Sequence, residues 1–308
     1  MIAGNLQAAF TGLTLDAGVA APMRDGVKLV ADIYRPAGAG PWPVLLMRQP
    51  YGRALASTIT YAHPTWWARQ GFMVVIQDVR GRGDSEGEFY AFRNEIEDGV
   101  DTVAWAAALP GSNGRVGMYG FSYQGYTQLA ASVGRPPALK AIAPHMTAFD
   151  LYSGWFYREG ILQLYHTVDW GNQMLCDDAW REGSPSAPRI DGSWRSRGSL
   201  SAALPVAETD PITAEDVPSY VADWLRHPEP DAYWQPFNLL TRVAEMNLPM
   251  FHLSGWFDMY LRGSVDGYRA MAAQHPNQVL LAGRTCHGCS PSQESIWARK
   301  PSLGSMRR

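Results

Sequence analysis

Short, continuous runs of apolar residues recur along the first half of the chain. Runs that predict buried strands lie at 43–47, 71–78 and 138–144. Between the last two, residues 95–109 carry apolar side chains every three to four positions, as an amphipathic helix does. Uninterrupted apolar strands are typical of parallel sheets, because helices cover both of their faces. The pattern therefore predicts an α/β fold with a mostly parallel, doubly wound sheet.

The character of the sequence changes after residue 150. Ser, Pro, Trp and Arg become frequent, helical stretches are predicted at 160–179 and 217–225, and no buried strand is evident. A strand at 248–255, a helix at 263–273 and a strand at 278–283 follow. We predict a first part of the α/β core at 1–149, an inserted helical cap at 150–240, a second part of the core at 241–289 and an irregular tail at 290–308.

Composition excludes several classes of protein. The net charge is −3 and no stripe of Lys or Arg is present, so the sequence lacks the positively charged surface that binds nucleic acid. No apolar run approaches the roughly 20 residues that a membrane span needs, and the N-terminus does not resemble a signal peptide. The three cysteines are Cys176, Cys286 and Cys289, an odd number that fits a reducing compartment without a disulfide framework. We expect a soluble, cytoplasmic protein whose oligomeric state is open.

One stretch has the pattern of a nucleophile elbow. Gly120-Phe121-Ser122-Tyr123-Gln124-Gly125 follows a predicted strand and precedes a small, apolar helical segment. A catalytic serine in this context sits on a tight turn, which requires small neighbours. The spacing is Gly-x-Ser-x-x-Gly, so Gln124 stands where the commoner motif has its second glycine. A plain Gly-Ser turn is the alternative interpretation.

A serine nucleophile needs a base and an orienting acid, which follow it in the order acid, then histidine, in α/β-hydrolases. Asp258 comes three residues after Gly255, at the end of one predicted strand, and His287 follows the last predicted strand. Carboxyl ends of parallel strands meet at one edge of a sheet. Asp258 and His287 are therefore the predicted acid and base for Ser122.

The remaining histidines have other interpretations. His145 could also line the site, whereas His252 is predicted to be a core residue and His166 a structural residue of the cap. Those in polar turns before prolines are expected to be solvated: His63, His227 and His275. Cys286-His287-Gly288-Cys289 lacks two further ligands at suitable spacing, so no metal and no cofactor is predicted.

Several motifs together give the chain a strong resemblance to a known family. They are 23-MRDGVKL-29 with 31-ADIYRP-36, 50-PYGR-53, 77-QDVRGRG-83 with 85-SEG-87, the elbow, 224-WLRHP-228 with 233-YW-234, and 254-SGWFD-258. From about residue 23 to 287 the chain resembles the cocaine esterase and X-prolyl dipeptidyl-peptidase-like (CocE/NonD) family of α/β serine hydrolases. The longer elbow spacing is what this family shows.

The resemblance implies a role for each site residue. Ser122 is the nucleophile, His287 the base and Asp258 its orienting acid, while the Tyr51 hydroxyl and the Tyr123 backbone N–H form the oxyanion hole. Trp155 and Trp170 match family positions that face bound substrate, although packing inside the cap is the alternative for both. Tyr260, two residues after Asp258, is expected at the edge of the same cleft.

The sequence departs from the family in two places. The family usually has Gly-Pro-Trp-x-His-Gly at the histidine, whereas this chain has Gly283-Arg284-Thr285-Cys286-His287-Gly288. Family members also continue into a jelly-roll domain, whereas this sequence stops at Arg308 and shows no strand pattern after Ser290. A truncated or frame-shifted product, or a fragment, is the expectation.

The resulting functional hypothesis is a serine hydrolase of carboxylic ester bonds, with amide bonds as the alternative, and with a small-molecule ester or short peptide as substrate. Two alternatives remain within this class, an X-prolyl dipeptidyl peptidase and an α-amino acid ester hydrolase. Peptidase-type members need a carboxylate for the substrate's free amine, and the cap offers Glu159, Asp169, Asp177 and Asp178. A different class of function is an inactive, truncated core that only binds other molecules.

Overall fold

A computed structural model describes residues 12–55, 62–195, 205, 212, 214 and 216–287. Its centre is an eight-stranded sheet in the order β1-β2-β4-β3-β5-β6-β9-β10. Strands β7 and β8 form a separate two-stranded hairpin. The strands are β1 (Thr14–Pro22), β2 (Lys28–Arg35), β3 (Trp42–Gln49), β4 (Met73–Asp78), β5 (Ser112–Phe121), β6 (Leu139–His145), β7 (Tyr157–Arg158), β8 (Ile161–Leu162), β9 (Met250–Phe257) and β10 (Gln278–Cys286).

Seven of the eight strands of the large sheet run in one direction, and β2 runs opposite to them, because it pairs antiparallel with both β1 and β4. β4, β3, β5, β6, β9 and β10 pair in parallel, whereas β1 and β2 add an antiparallel edge. The prediction of a mostly parallel α/β-hydrolase sheet is therefore confirmed. Because these strands are parallel, the carboxyl ends of β3, β5, β9 and β10 lie at the same edge of the sheet, where the loops that follow them can meet.

Seven α-helices are present in the described ranges, and several pack closely on the sheet. They are α1 (Pro64–Arg69), α2 (Glu95–Ala107), α3 (Tyr123–Val133), α4 (Leu164–Glu182), α5 (Ala187–Arg195), α6 (Tyr220–Arg226) and α7 (Leu261–Ala272). Every residue of α3 is buried, and small residues let α2 approach it closely, since a Cβ at Gly99 of α2 would lie 2.8 Å from the Cβ of Ala131. The core includes Leu46, Val75 and Val116, each fully buried.

Segment 150–240 carries α4, α5, α6 and the β7–β8 hairpin. An antiparallel bridge between Asp150 and Asn238 joins its two ends. Arg82 of the core is fully buried and binds Asp177 at 2.7 Å and Asp178 at 3.0 Å, both on α4. Such a buried guanidinium between two carboxylates ties the segment to the core. The helical character of 150–240 agrees with the prediction, while its division from the rest as a cap stays a prediction.

Several sequence-based expectations need correction. Strand β1 and helix α5 were not predicted, because β1 is mostly exposed and neither has a clear apolar pattern. Helix α4 begins at Leu164 rather than residue 160. Cys286 is disulfide-bonded, contrary to the expectation of no disulfide, whereas Cys176 is a buried free thiol. The predicted tail at 290–308 lies outside the described residues.

None of the helices in the described ranges has both the length and the apolar character to cross a bilayer.

Candidate active site

Ser122 occupies the sharp turn between β5 and α3. Its backbone angles are φ 59° and ψ −126°, a strained conformation for a residue with a Cβ. The turn is held in place because the Ser122 N–H donates to the His145 carbonyl at 2.9 Å. The helix starts directly after the serine, so the hydroxyl stands at the carboxyl edge of the sheet, as the elbow motif predicts.

The unusual spacing of the elbow has a steric explanation. A Cβ at Gly120 would lie 2.5 Å from the Cβ of Gln124, and a Cβ at Gly125 would lie 2.8 Å from the Cβ of Thr147. The helix therefore approaches the loop after β6 most closely at Gly125, and the small residue is needed there rather than at position 124. Gln124 is accommodated because its Oε1 accepts a hydrogen bond from the Phe121 N–H at 3.3 Å.

The structure brings Ser122, His287 and Asp258 together. His287 Nε2 lies 3.1 Å from Ser122 Oγ, and His287 Nδ1 lies 3.0 Å from Asp258 Oδ1. Asp258 directly follows β9 and His287 directly follows β10, so the parallel pairing of these two strands sets their separation. With Nδ1–H donating to the carboxylate, Nε2 is left to accept the serine proton.

Asp258 is held as the acceptor that this arrangement needs. The residue is 6% exposed, and its Oδ2 accepts a hydrogen bond from Ser254 Oγ at 2.9 Å. Oδ1 accepts a second bond from the Tyr260 N–H at 3.2 Å. Hydrogen bonds to both oxygens stabilise the charged form of a buried carboxylate. Ser254 is a supporting residue that sequence reasoning missed, since it lies within the strand.

Tyr51 lies on the loop after β3, where its hydroxyl contacts segment 150–240. The Trp170 indole N–H donates to the Tyr51 oxygen at 3.1 Å. Burial raises the pKa of Tyr51 to about 12, so its own proton stays in place at neutral pH. Because the tyrosine oxygen is an acceptor toward Trp170, the O–H remains available to donate to another group.

The loop that carries Tyr51 is anchored two residues later by Arg53. This guanidinium binds Asp32 at 3.0 Å and Asp84 at 2.8 Å, and it also contacts the buried Asp78. Three carboxylates from separate parts of the fold thus hold one arginine in place. Sequence reasoning recorded 50-PYGR-53 as a family motif, but it gave Arg53 no role.

A buried charge network lies beneath the elbow. The Tyr123 hydroxyl donates to Glu95 Oε1 at 2.8 Å, and Glu95 Oε2 binds Arg48, which is fully buried, at 2.7 Å. Burial raises the pKa of Glu95, although the nearby Arg48 opposes this shift. The tyrosine side chain fixes the first residue of α3, whose backbone N–H is the predicted oxyanion donor.

The three aromatic residues predicted for the pocket are neighbours in the structure. The rings of Trp155 and Tyr260 lie 4.2 Å apart, and those of Trp155 and Trp170 lie 6.3 Å apart. Tyr260 also stands edge-on to the His287 imidazole at 4.8 Å. Trp155 is only 3% exposed and Trp170 stacks on Trp224, so both tryptophans also pack inside the segment.

His166 also lies beside the site, although sequence reasoning interpreted it as a structural residue of segment 150–240. Its Nε2 and the Tyr260 hydroxyl are hydrogen-bonded to each other, and its ring lies 6.4 Å from that of Trp155. Burial lowers the pKa of His166 to about 4, so the ring is neutral and can accept at Nε2. No local sequence signal connects two residues 94 positions apart.

The other histidines take no part in the Ser122 cluster. His145 is 3% exposed and packs edge-on against Phe251, and burial lowers its pKa to about 3. Its backbone carbonyl accepts a hydrogen bond from the Ser122 N–H at 2.9 Å, and its ring is not part of the hydrogen-bonded series Ser122–His287–Asp258. His252 is buried in β9 and bonds to Gln278 at 3.0 Å, which confirms the prediction of a satisfied core histidine. Within the described ranges no group of three or more metal-ligating side chains occurs.

Fold and side-chain arrangement define this chain as an α/β-hydrolase-type protein. The model of the X-Pro dipeptidyl-peptidase (S15) family matches residues 25–288. The chain therefore belongs to this family, which confirms the resemblance read from the motifs.

Among curated proteins, the chain is similar to cocaine esterase of Rhodococcus sp. The two are 33% identical over 278 residues, which cover 87% of this chain and 48% of the esterase. A putative serine esterase of Mycobacterium tuberculosis is 30% identical over 213 residues, 62% of this chain and 32% of the relative. The chain thus spans at most about half the length of these relatives.

Solved structures show the same fold. An α-amino acid ester hydrolase superimposes with a TM-score of 0.66 at 24% identity, over 89% of this chain and 48% of that one. The Pyrococcus furiosus esterase Pf2001 superimposes with a TM-score of 0.54 at 15% identity, over 89% of this chain and 84% of the esterase. At these identities the likeness concerns the fold alone.

Proposed function

We propose that the protein is a serine hydrolase that cleaves carboxylic esters through an acyl-enzyme. The observation that carries this proposal is the continuous hydrogen-bonded series Ser122–His287–Asp258, with distances of 3.1 and 3.0 Å. A nucleophile, a base and an orienting acid at such distances form the arrangement that acyl transfer requires. Family membership and the esterases among its relatives support the same class of reaction.

Each residue has a definite task in this mechanism. As Ser122 Oγ attacks the ester carbonyl, its proton moves to His287 Nε2, and Asp258 stabilises the imidazolium that forms. His287 then returns the proton to the leaving alcohol, which departs and leaves an acyl-serine. A water molecule attacks the acyl-serine by the same route in reverse, and the carboxylic acid is released.

The oxyanion of the tetrahedral intermediate needs two donors in the proposed mechanism. One is the Tyr123 N–H, which lies in the first turn of α3 and so has no intrahelical acceptor. The other is the Tyr51 O–H. This proton is free to donate because Trp170 is itself the donor in its hydrogen bond to the Tyr51 oxygen. Donors that are fixed before the reaction stabilise the developing charge without reorganisation.

Ester substrates are favoured over peptides with a free amine. A peptidase of this type needs a carboxylate that can bind the substrate ammonium. Three of the four candidates are engaged elsewhere: Glu159 with Arg262, and Asp177 and Asp178 with Arg82. Asp169 is the candidate that forms no ion pair with a described residue. This leaves X-Pro dipeptidyl-peptidase activity, which the family name suggests, as the second candidate.

The test is hydrolysis of p-nitrophenyl butyrate and p-nitrophenyl benzoate beside dipeptide p-nitroanilides, together with labelling by a fluorophosphonate probe. Ser122→Ala should abolish both labelling and ester hydrolysis, because it removes the atom that forms the acyl-enzyme. Ser132→Ala is the matched control: this serine is buried on the same helix, and its hydroxyl donates to the Leu129 carbonyl. The control should keep both activities.

Two outcomes would contradict the proposal. Labelling that persists in Ser122→Ala would place the nucleophile elsewhere. A folded wild-type chain that is neither labelled nor active on any substrate would instead support the alternative of a core that only binds other molecules.

A further inference from the structure

A surface cavity of about 330 Å³ lies beside the candidate active site. Trp155, His166 and Met259 form its inner wall, while Ser122 and His287 are not among the residues that line it. Tyr260 stands behind this wall, between His166 and His287. The cavity is therefore distinct from the catalytic centre, although only two side chains separate it from the catalytic histidine.

The charged groups of this cavity are all positive. Its lining includes Arg158 and Arg262 but no Asp or Glu. Arg262 is compensated by Glu159 at 3.1 Å and Asp266 at 3.8 Å outside the lining. Arg158 is different, because its guanidinium donates to the Met259 carbonyl at 3.2 Å and has no carboxylate partner in the described part of the chain. One positive charge in the cavity wall is thus not neutralised.

The N-terminal end of α4, a helix of 19 residues, borders the same space. The cavity is lined by its first three residues, Leu164, Tyr165 and His166, and by the N-cap Gln163, whose own N–H donates to the Phe156 carbonyl at 2.8 Å. The first N–H groups of a helix lack intrahelical acceptors, and the helix dipole adds partial positive charge there. The Gln163 side chain makes no capping hydrogen bond. The first N–H groups of the helix therefore have no side-chain acceptor from the N-cap residue.

A second, independent observation is an unpaired donor in the cavity wall. Trp155 is 3% exposed, and its indole N–H is buried without a hydrogen-bond partner in the described residues. Unsatisfied buried donors are rare because they cost free energy. His166 also lines the cavity, and its Nε2 is hydrogen-bonded to the Tyr260 hydroxyl. The wall thus contains one donor, the Trp155 indole N–H, that the described residues leave unused.

Much of the remaining lining is apolar, although the cavity is also lined by Ser153 and Gln163. Leu162, Leu164 and the rings of Trp155 and Tyr165 face the space between the donors. Apolar walls with a few convergent polar groups, in a volume of this size, are typical of sites for small organic molecules. We propose that this cavity binds a small organic carboxylate, that is, an apolar ring or chain with a single carboxylate that pairs with Arg158 at the N-terminus of α4.

The test compares 4-fluorobenzoate with its neutral isostere 4-fluorobenzamide by ¹⁹F NMR titration of the full chain. The acid should bind at least about tenfold more tightly than the amide, since a charge-assisted hydrogen bond contributes more than a neutral one. Arg158→Gln should weaken binding of the acid about ten- to a hundredfold and leave the amide unchanged. Arg158 is exposed, so the variant should fold.

Two further variants locate the binding site. Arg226→Gln is the matched control, because Arg226 is an exposed guanidinium in the same segment, paired with Asp223 and outside the cavity. It should bind the acid as the wild type does. Leu162→Trp places a larger side chain in the cavity wall and should abolish binding of the acid.

Several results would overturn the proposal. These are no binding of 4-fluorobenzoate at millimolar concentration, equal affinity for acid and amide, or equal affinity in Arg158→Gln and wild type. Binding that disappears after Ser122 is capped with a fluorophosphonate, but is insensitive to Arg158→Gln, would assign the acid to the catalytic centre instead.

Discussion

Tyr51→Phe tests the oxyanion hole most directly, because it removes one oxygen and keeps the ring. In the transition state the variant loses a donor to the oxyanion, which is expected to lower kcat by about 10²–10³. KM should change little, since this hydrogen bond is made mainly to the transition state. The structure adds a second consequence, because the Tyr51 oxygen also accepts the Trp170 N–H at 3.1 Å.

The variant leaves that indole N–H without its acceptor. Trp170 is half-buried, so the cost should be at most that of a fully buried unsatisfied donor, about 1–3 kcal/mol, and the melting temperature should fall as well. The two effects are separable with Tyr152→Phe, which removes a hydroxyl that donates to the Pro228 carbonyl at 2.7 Å. We expect this control to lower stability and to leave kcat within a few fold of the wild type.

The assay is steady-state hydrolysis of p-nitrophenyl esters, with the melting temperature measured on the same preparations. Since the pKa of Tyr51 is raised to about 12, deprotonation of this phenol should not limit kcat below about pH 10. A Tyr51→Phe variant with an unchanged kcat would refute the assignment, whatever its stability. An equal loss of kcat in Tyr152→Phe would show that the effect comes from destabilisation.

Three further predictions follow from the site and the core. Asp258→Asn should lower kcat by about 10⁴, as expected when the acid that orients a catalytic histidine is lost, while circular dichroism remains that of the wild type; a loss below tenfold would contradict its role. Trp155→Ala should cost about 3–5 kcal/mol of stability because the ring is buried, and an unchanged melting temperature would contradict this packing. Burial lowers the pKa of His145 to about 3 and of His166 to about 4. From about pH 6.5 down to these values, the unfolded chain therefore binds more protons than the folded protein does. Stability should therefore fall as pH decreases through this window, by at most about 1.4 kcal/mol per pH unit for each histidine; denaturant titrations at pH 7 and pH 5 with equal midpoints would refute it.

The sequence determined the parallel part of the fold because its physical cause is local. An apolar run bounded by turns is buried on both faces whatever its neighbours, and so β3, β4, β6 and β9 were predictable. The ends of β9 and β10 also placed Asp258 and His287, since parallel strands bring their carboxyl ends to one edge. Ser122 was predictable from the glycines that the tight turn requires.

Features that depend on partners distant in the chain were decided only by the tertiary structure. Strand β1 has little apolar pattern of its own, and it exists because β2 offers an antiparallel edge. The contact of Trp170 with Tyr51 joins residues 119 positions apart, and that of Tyr260 with His166 joins residues 94 apart. Spacing along the chain carries no signal for such pairs, because the packing of segment 150–240 on the sheet brings them together.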